Sequence, residues 1–110
     1  MAYDEELAER IRVEVAGERG VTEQKMFGGL AFLIGGHLAV AASGQGGLML
    51  RCDPDATESL LAEPGAAPMV MRGKEMRGWL RVEAGAVEDD EALRAWVRRG
   101  ASYARSLPPK

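Results

Sequence analysis

The sequence predicts an α+β fold. Three observations carry this: a first and a last stretch with apolar residues at helical spacing, five short apolar runs between them cut by glycines at turn positions, and a composition of 46% hydrophobic and 28% charged residues. At 110 residues the chain is expected to form one domain over residues 1–110. A chain of this size buries roughly 65% of its unfolded surface around one core, whereas two cores would each be marginal.

From Asp4 to Ala16 the residues Leu7, Ala8, Ile11 and Val15 recur at helical spacing, with Asp4 as N-cap and acids in the first turn. Gly17 and Gly20 close this helix. Three strands are expected at Gly28–Ile34, His37–Ser43 and Leu48–Cys52, the first two joined by the tight turn Gly35-Gly36 and the next two across Gly44-Gln45-Gly46-Gly47. Asp53-Pro54 reads as an N-cap with proline at the first helical position, opening a short helix that ends at Glu63-Pro64-Gly65. Two further strands are expected at Met69–Met71 and Met76–Val82, joined by Arg72-Gly73-Lys74-Glu75. The last helix, Asp90 to Ser106, keeps Leu93, Trp96, Val97, Gly100, Ala104 and Leu107 on one face. Acids crowd its start, arginines its end, and Pro108-Pro109 stops it.

The balance of 14 Lys+Arg against 17 Asp+Glu leaves a net charge of -3, so nucleic-acid binding would need a local patch. The only cysteine, Cys52, has no partner for an internal disulfide, which fits a reducing compartment. The N-terminus is acidic where a signal peptide is basic, and no apolar run approaches the ~20 residues that span a bilayer. The expectation is a cytoplasmic protein without a membrane partner.

Lys25-Met26-Phe27-Gly28-Gly29-Leu30-Ala31-Phe32, then Gly36-His37, then Leu48-Met49-Leu50-Arg51 resemble the N-terminal domain signature of the TfoX/Sxy competence-regulator family. Pro68-Met69, the run Arg72 to Gly78, Leu93–Val97 and Ala104–Lys110 continue the match, which is similar to the shorter, stand-alone members. The resemblance implies a two-layer α-β-β-β-α-β-β-α sandwich with a mainly antiparallel five-stranded sheet, in agreement with the element count. Full-length members carry a further C-terminal helical domain. The link to competence-gene regulation is therefore not carried over to this chain.

Catalytic patterns are sparse. A single histidine, His37, and a single cysteine exclude the usual zinc ligand sets. His37 and Cys52 with Met26, Met49, Met69, Met71 and Met76 have the donors of a copper(I) site, but methionines in and beside strands ordinarily fill core gaps. No Gly-x-Ser-x-Gly surrounds any serine. The carboxylate pairs Asp53/Asp55 and Asp89/Asp90 stand at helix starts, where capping explains them. Gly44-Gln45-Gly46-Gly47 has the Gly-x-x-Gly form of KH domains but lies between strands, and Gly73-Lys74-Glu75 lacks the Ser or Thr of a Walker loop.

What remains is a set of surfaces. Arg72, Lys74 and Arg77 form a basic hairpin turn, to which Arg51, Arg81, Arg105 and Lys110 could add, facing an acidic partner or phosphate. Leu30–Ile34 and Leu38–Ala42 are apolar on both alternating faces, as though something covered the second face: a protein partner, a second copy or the packing of the chain's own terminal segments. The expected function is a non-enzymatic regulatory or interaction module with no cofactor. A nucleic-acid module using the basic hairpin, and a ligand binder, metal binder or enzyme built around His37, are the alternatives.

Overall fold

The computed structural model describes residues 3–26 and 28–109. Met1, Ala2, Phe27 of the glycine-rich signature and Lys110 of the basic set lie outside the described residues. In order, the elements are α1 (Glu5–Glu14), β1 (Val21–Met26), β2 (Gly29–Ile34), β3 (His37–Ala42), β4 (Leu48–Arg51), α2 (Thr57–Leu61), β5 (Ala66–Met71), β6 (Lys74–Val82) and α3 (Asp90–Ser106). Short 3-10 turns at Pro54–Ala56 and Ala84–Val87 precede α2 and α3. No helix among the described residues is long and apolar enough to cross a membrane.

The strands form one antiparallel sheet of order β1-β2-β3-β4-β6-β5. The sheet has six strands, not the expected five. The additional strand, β1, pairs along its whole length with β2, from Val21 opposite Ile34 to Met26 opposite Gly29. Its interior Thr22, Glu23, Gln24 and Lys25 are exposed, so it carries no apolar alternation for sequence reading to detect. The expected four-residue turn at Arg72–Glu75 is also shorter. Met71 pairs with Lys74 and Val70 with Glu75, leaving Arg72 and Gly73 as a two-residue turn with φ of 53° and 78°.

Asp4 caps α1, its carboxylate accepting from the Glu6 and Leu7 amides at 3.0 and 3.1 Å. Gly35 and Gly36, at φ 61° and 86°, make the β2–β3 turn in the conformation that side chains resist. One large cluster joins Leu7 and Ile11 of α1, Val15 just after it, and Leu93, Trp96, Val97 and Ala101 of α3 to Phe32, Val40, Leu50, Leu80 and Val82 of the sheet. Leu60 and Leu61 of α2 pack against the same cluster.

The contact of α3 with the sheet depends on Gly100. A Cβ at that position would stand 2.3 Å from the Ala39 carbonyl oxygen. Ala39 is the residue left without a partner where the β2–β3 register shifts between Phe32 and Leu33, and the displaced backbone meets the helix there.

Two polar contacts complete the frame. Thr57 Oγ1 accepts from the Gly78 amide at 2.9 Å, and the Gly78 carbonyl accepts from the Cys52 amide at 2.8 Å, which ties the start of α2 between β4 and β6. On the other side Arg12 of α1 donates to both carboxylate oxygens of Glu23 on β1, at 2.6 and 2.8 Å. The Arg12 hydrogen bonds hold the Glu23 carboxyl below the usual carboxylate range.

Three outcomes follow. Gly100→Ala gains helix propensity but overpacks against a backbone atom, so it should lose about 1–3 kcal/mol in urea unfolding, whereas Gly85→Ala, with nothing within 4 Å of its Cβ, should stay within about 0.5 kcal/mol of the parent. Thr57→Val orphans the buried Gly78 amide and should lose about 1–3 kcal/mol by the same measurement. Because the folded-state pKa of Glu23 is depressed, its contribution is present above the ordinary carboxylate range and is lost as pH falls through the folded value. Glu23→Gln should therefore melt slightly below the parent at neutral pH, with the difference closing in acid; a difference constant with pH would refute this account.

Candidate functional site

The structure separates the basic residues that the sequence places together. Arg72 and Lys74 are exposed at the β5–β6 tip and form no ion pair among the described residues. Arg77 donates to Asp55 at 2.8 Å, which neutralises it locally. Arg81 lies seven positions along β6 from Lys74, roughly 23 Å at the strand rise, and donates to Ser43 Oγ at 3.2 Å. Arg105 is paired with Glu18 at 2.5 Å. Arg51 ends β4 with its guanidinium 5.8 Å from the Trp79 ring and 5.6 Å from the Tyr103 ring. The hairpin tip retains two unpaired cations, and the remainder of the set is dispersed.

His37 opens β3. Its Nε2 donates to the Pro108 carbonyl at 2.6 Å, tying the segment after α3 to the β2–β3 hairpin, and its Nδ1 is buried without a partner among the described residues. Cys52 is 2% exposed in the large cluster, its thiol 3.8 Å from Thr57 Oγ1. Burial pushes that thiol up from its ordinary pKa, which keeps it protonated and weakly nucleophilic. Met49 and Met69 belong to a different cluster from Cys52, so the thiol and these thioethers do not converge. Asp53 caps the Asp55 amide at 2.9 Å, and Asp90 accepts from Arg10 at 2.9 Å.

The face of the sheet turned away from the large cluster has a small core of its own. Ala31, Leu38, Ala41, Met49 and Met69 are buried there, with Met26, Leu33, Met76 and Trp79 packed against them. Long side chains lean over short ones. This explains why β2 and β3 are apolar on both faces: the sheet itself supplies the cover over the alanines. Where the face runs out onto the β5–β6 hairpin the cover ends, leaving Met71 at 39% exposure, while Val70, 55% exposed, pairs with Glu75 and stands on the opposite side.

The strand charges on this face are all positive. Arg81 pairs with Met49, Arg51 lies two residues beyond Met49 and opposite Trp79, and Lys74 lies two before Met76. Strand alternation puts Glu23 and Glu75 on the opposite side, and the polar residues of β1 on this face are Thr22 and Gln24. Sequence reasoning selected Arg51 and Lys74 but not the exposed Val70 and Met71. It read those two as ordinary strand residues, since exposure at a hairpin tip leaves no trace in local periodicity. It also missed Arg98 and Ser102 on the flank of α3, whose i, i+4 spacing is the signal that could have found them.

A family model described as the TfoX N-terminal domain matches residues 14–104. No curated protein and no solved structure matches the chain. The matched span runs from the end of α1 through all six strands and most of α3, and it contains the sheet face with its methionines and cations. The chain belongs to the TfoX N-terminal domain family.

Proposed function

We propose that this TfoX N-terminal domain is a non-enzymatic interaction and regulatory module whose working surface is the methionine-bearing sheet face with the β5–β6 hairpin. Its partner is a protein segment that presents an apolar anchor flanked by Asp or Glu. The observation that carries the reading is an apolar surface, exposed at Met71 beside Lys74, with Arg51 and Arg81 farther along the same face and no strand carboxylate there among the described residues. Such a surface attracts acids at its rim and apolar side chains at its centre. Methionine side chains repack readily around different anchors, which suits a docking surface.

The reactive groups support a role without catalysis. The thiol is buried and protonated, the imidazole holds a backbone carbonyl, and Asp53, Asp55 and Asp90 serve as cap or ion-pair partners. A nucleic acid is the less favoured occupant. Among the described residues Trp79 is the one aromatic in the cluster on this face, whereas single-strand binding relies on successive stacked bases. A second copy would bring Arg51, Lys74 and Arg81 against one another if the same faces met.

The test is photo-crosslinking in cells, with a benzophenone amino acid placed at Met71 and, as a control on the helix side, at the exposed Val13. The expected result is a set of protein segments captured only from position 71, with apolar residues flanked by acids, whose yield falls about tenfold in the Lys74→Glu variant. Capture of nucleic acid, of further copies of this chain alone, or of the same products from both positions would overturn the proposal. So would no capture above the Val13 control.

A further inference from the structure

A cleft of about 490 Å³ opens between the C-terminal half of α3 and the chain leaving β4. Its size falls within the range of small-molecule sites. One wall is polar: Arg98, Arg99, Ser102, Tyr103 and Ser106 project from successive turns of α3. The other is formed largely by Cys52, Ala56 and Leu60, an apolar surface because the thiol is kept neutral.

The cations are disposed in different ways. Arg99 is held in place, its guanidinium 4.5 Å from the Trp96 ring and 3.6 Å from Glu63. Arg98 is exposed and forms no ion pair among the described residues. Arg51 lies outside the lining, its guanidinium 5.6 Å from the Tyr103 ring. The Asp53 carboxylate, also in the lining, already accepts from the Asp55 amide at 2.9 Å. In the lining Arg98 and Arg99 stand against Asp53, with Glu63 outside it paired to Arg99, which leaves Arg98 as the cation of the cleft with no carboxylate partner among the described residues. A guanidinium without a carboxylate partner, beside hydroxyl donors and facing an apolar wall, is complementary to a molecule with one anionic end and an apolar body.

We infer that this cleft is a binding site for a small organic monoanion, a carboxylate on an apolar or aromatic body, with the carboxylate on Arg98, Arg99 and Ser102 and the body against Leu60, Ala56 and Cys52. The inference is independent of the protein-docking face, since the α3 wall, which carries the charge recognition, lies outside that face.

The experiment is NMR titration of the intact, isotope-labelled chain with 4-phenylbutyrate, its neutral analogue 4-phenylbutanol, and inorganic phosphate. Saturable shifts are expected at Cys52, Leu60, Ser102 and Tyr103 with phenylbutyrate, at a Kd of roughly millimolar or tighter, and about tenfold weaker binding of the alcohol. Arg98→Ala, at an exposed position, should weaken phenylbutyrate about fivefold or more while leaving the apo spectrum and melting temperature unchanged. Equal binding of acid and alcohol, insensitivity to Arg98→Ala, shifts centred elsewhere, or phosphate binding as tightly as the organic acid would each overturn the assignment. Absence of saturation across the accessible concentration range would do so as well.

Discussion

The approach of α3 to the middle of the sheet, backbone against backbone at Gly100 and Ala39, is the contact on which the arrangement rests. Two local irregularities coincide there, a helix position without a side chain and a strand position without a pairing partner. Together they let the helix axis settle close enough for Leu93, Trp96 and Val97 to join Phe32 and Val40. With α3 at that depth, Tyr103 comes level with the end of β4, and Arg51 fits between its ring and that of Trp79. Both proposed surfaces are therefore indexed to one helix position: the cleft lies along α3, and Arg51, at the cationic edge of the proposed docking face, is held against Tyr103 of the same helix.

Much of the fold was legible in the residues, and the reasons for the gaps are physical. Helix α3 announces itself through Leu93, Trp96, Val97 and Ala104 at helical spacing, and the Gly35-Gly36 turn through a conformational demand that few residue pairs meet. Asp4 and Asp53 are visible as caps because short acids before a helix accept from its first amides. Strand β1 leaves no signal because its pairing is made by backbone groups, while its interior side chains, Thr22 to Lys25, are exposed on both faces and keep no apolar period. The double-sided apolarity of β2 and β3 was read accurately, but its cause lay in the cover that Met26, Leu33, Met76 and Trp79 give to Ala31 and Ala41, a relation between strands far apart in sequence.

The basic hairpin shows the same limit for the site. Counting arginines and lysines along the chain treats Arg77 and Arg81 as neighbours of Lys74, yet strand geometry sends Arg77 to Asp55 and carries Arg81 to the opposite end of β6. Charge on a strand is shared out between two faces and two ends, so a sequence cluster becomes several separate surfaces. The residues that gain meaning from the structure are ones whose neighbours differ in kind: Lys74 beside Met71 and Met76, and Arg98 facing Leu60 across a cleft.

The outer strands limit how this molecule can be recognised. At one border of the sheet Thr22, Glu23, Gln24 and Lys25 put polar and charged groups along the free backbone, and at the other Pro68 removes an amide from the outermost strand. Neither border invites a foreign strand to extend the ladder, so a partner at the proposed docking face would meet side chains standing up from the sheet. Those side chains contribute little to the main core, which is held by the helices on the other side. The same scaffold can therefore exchange a few surface residues on that face without altering how it folds.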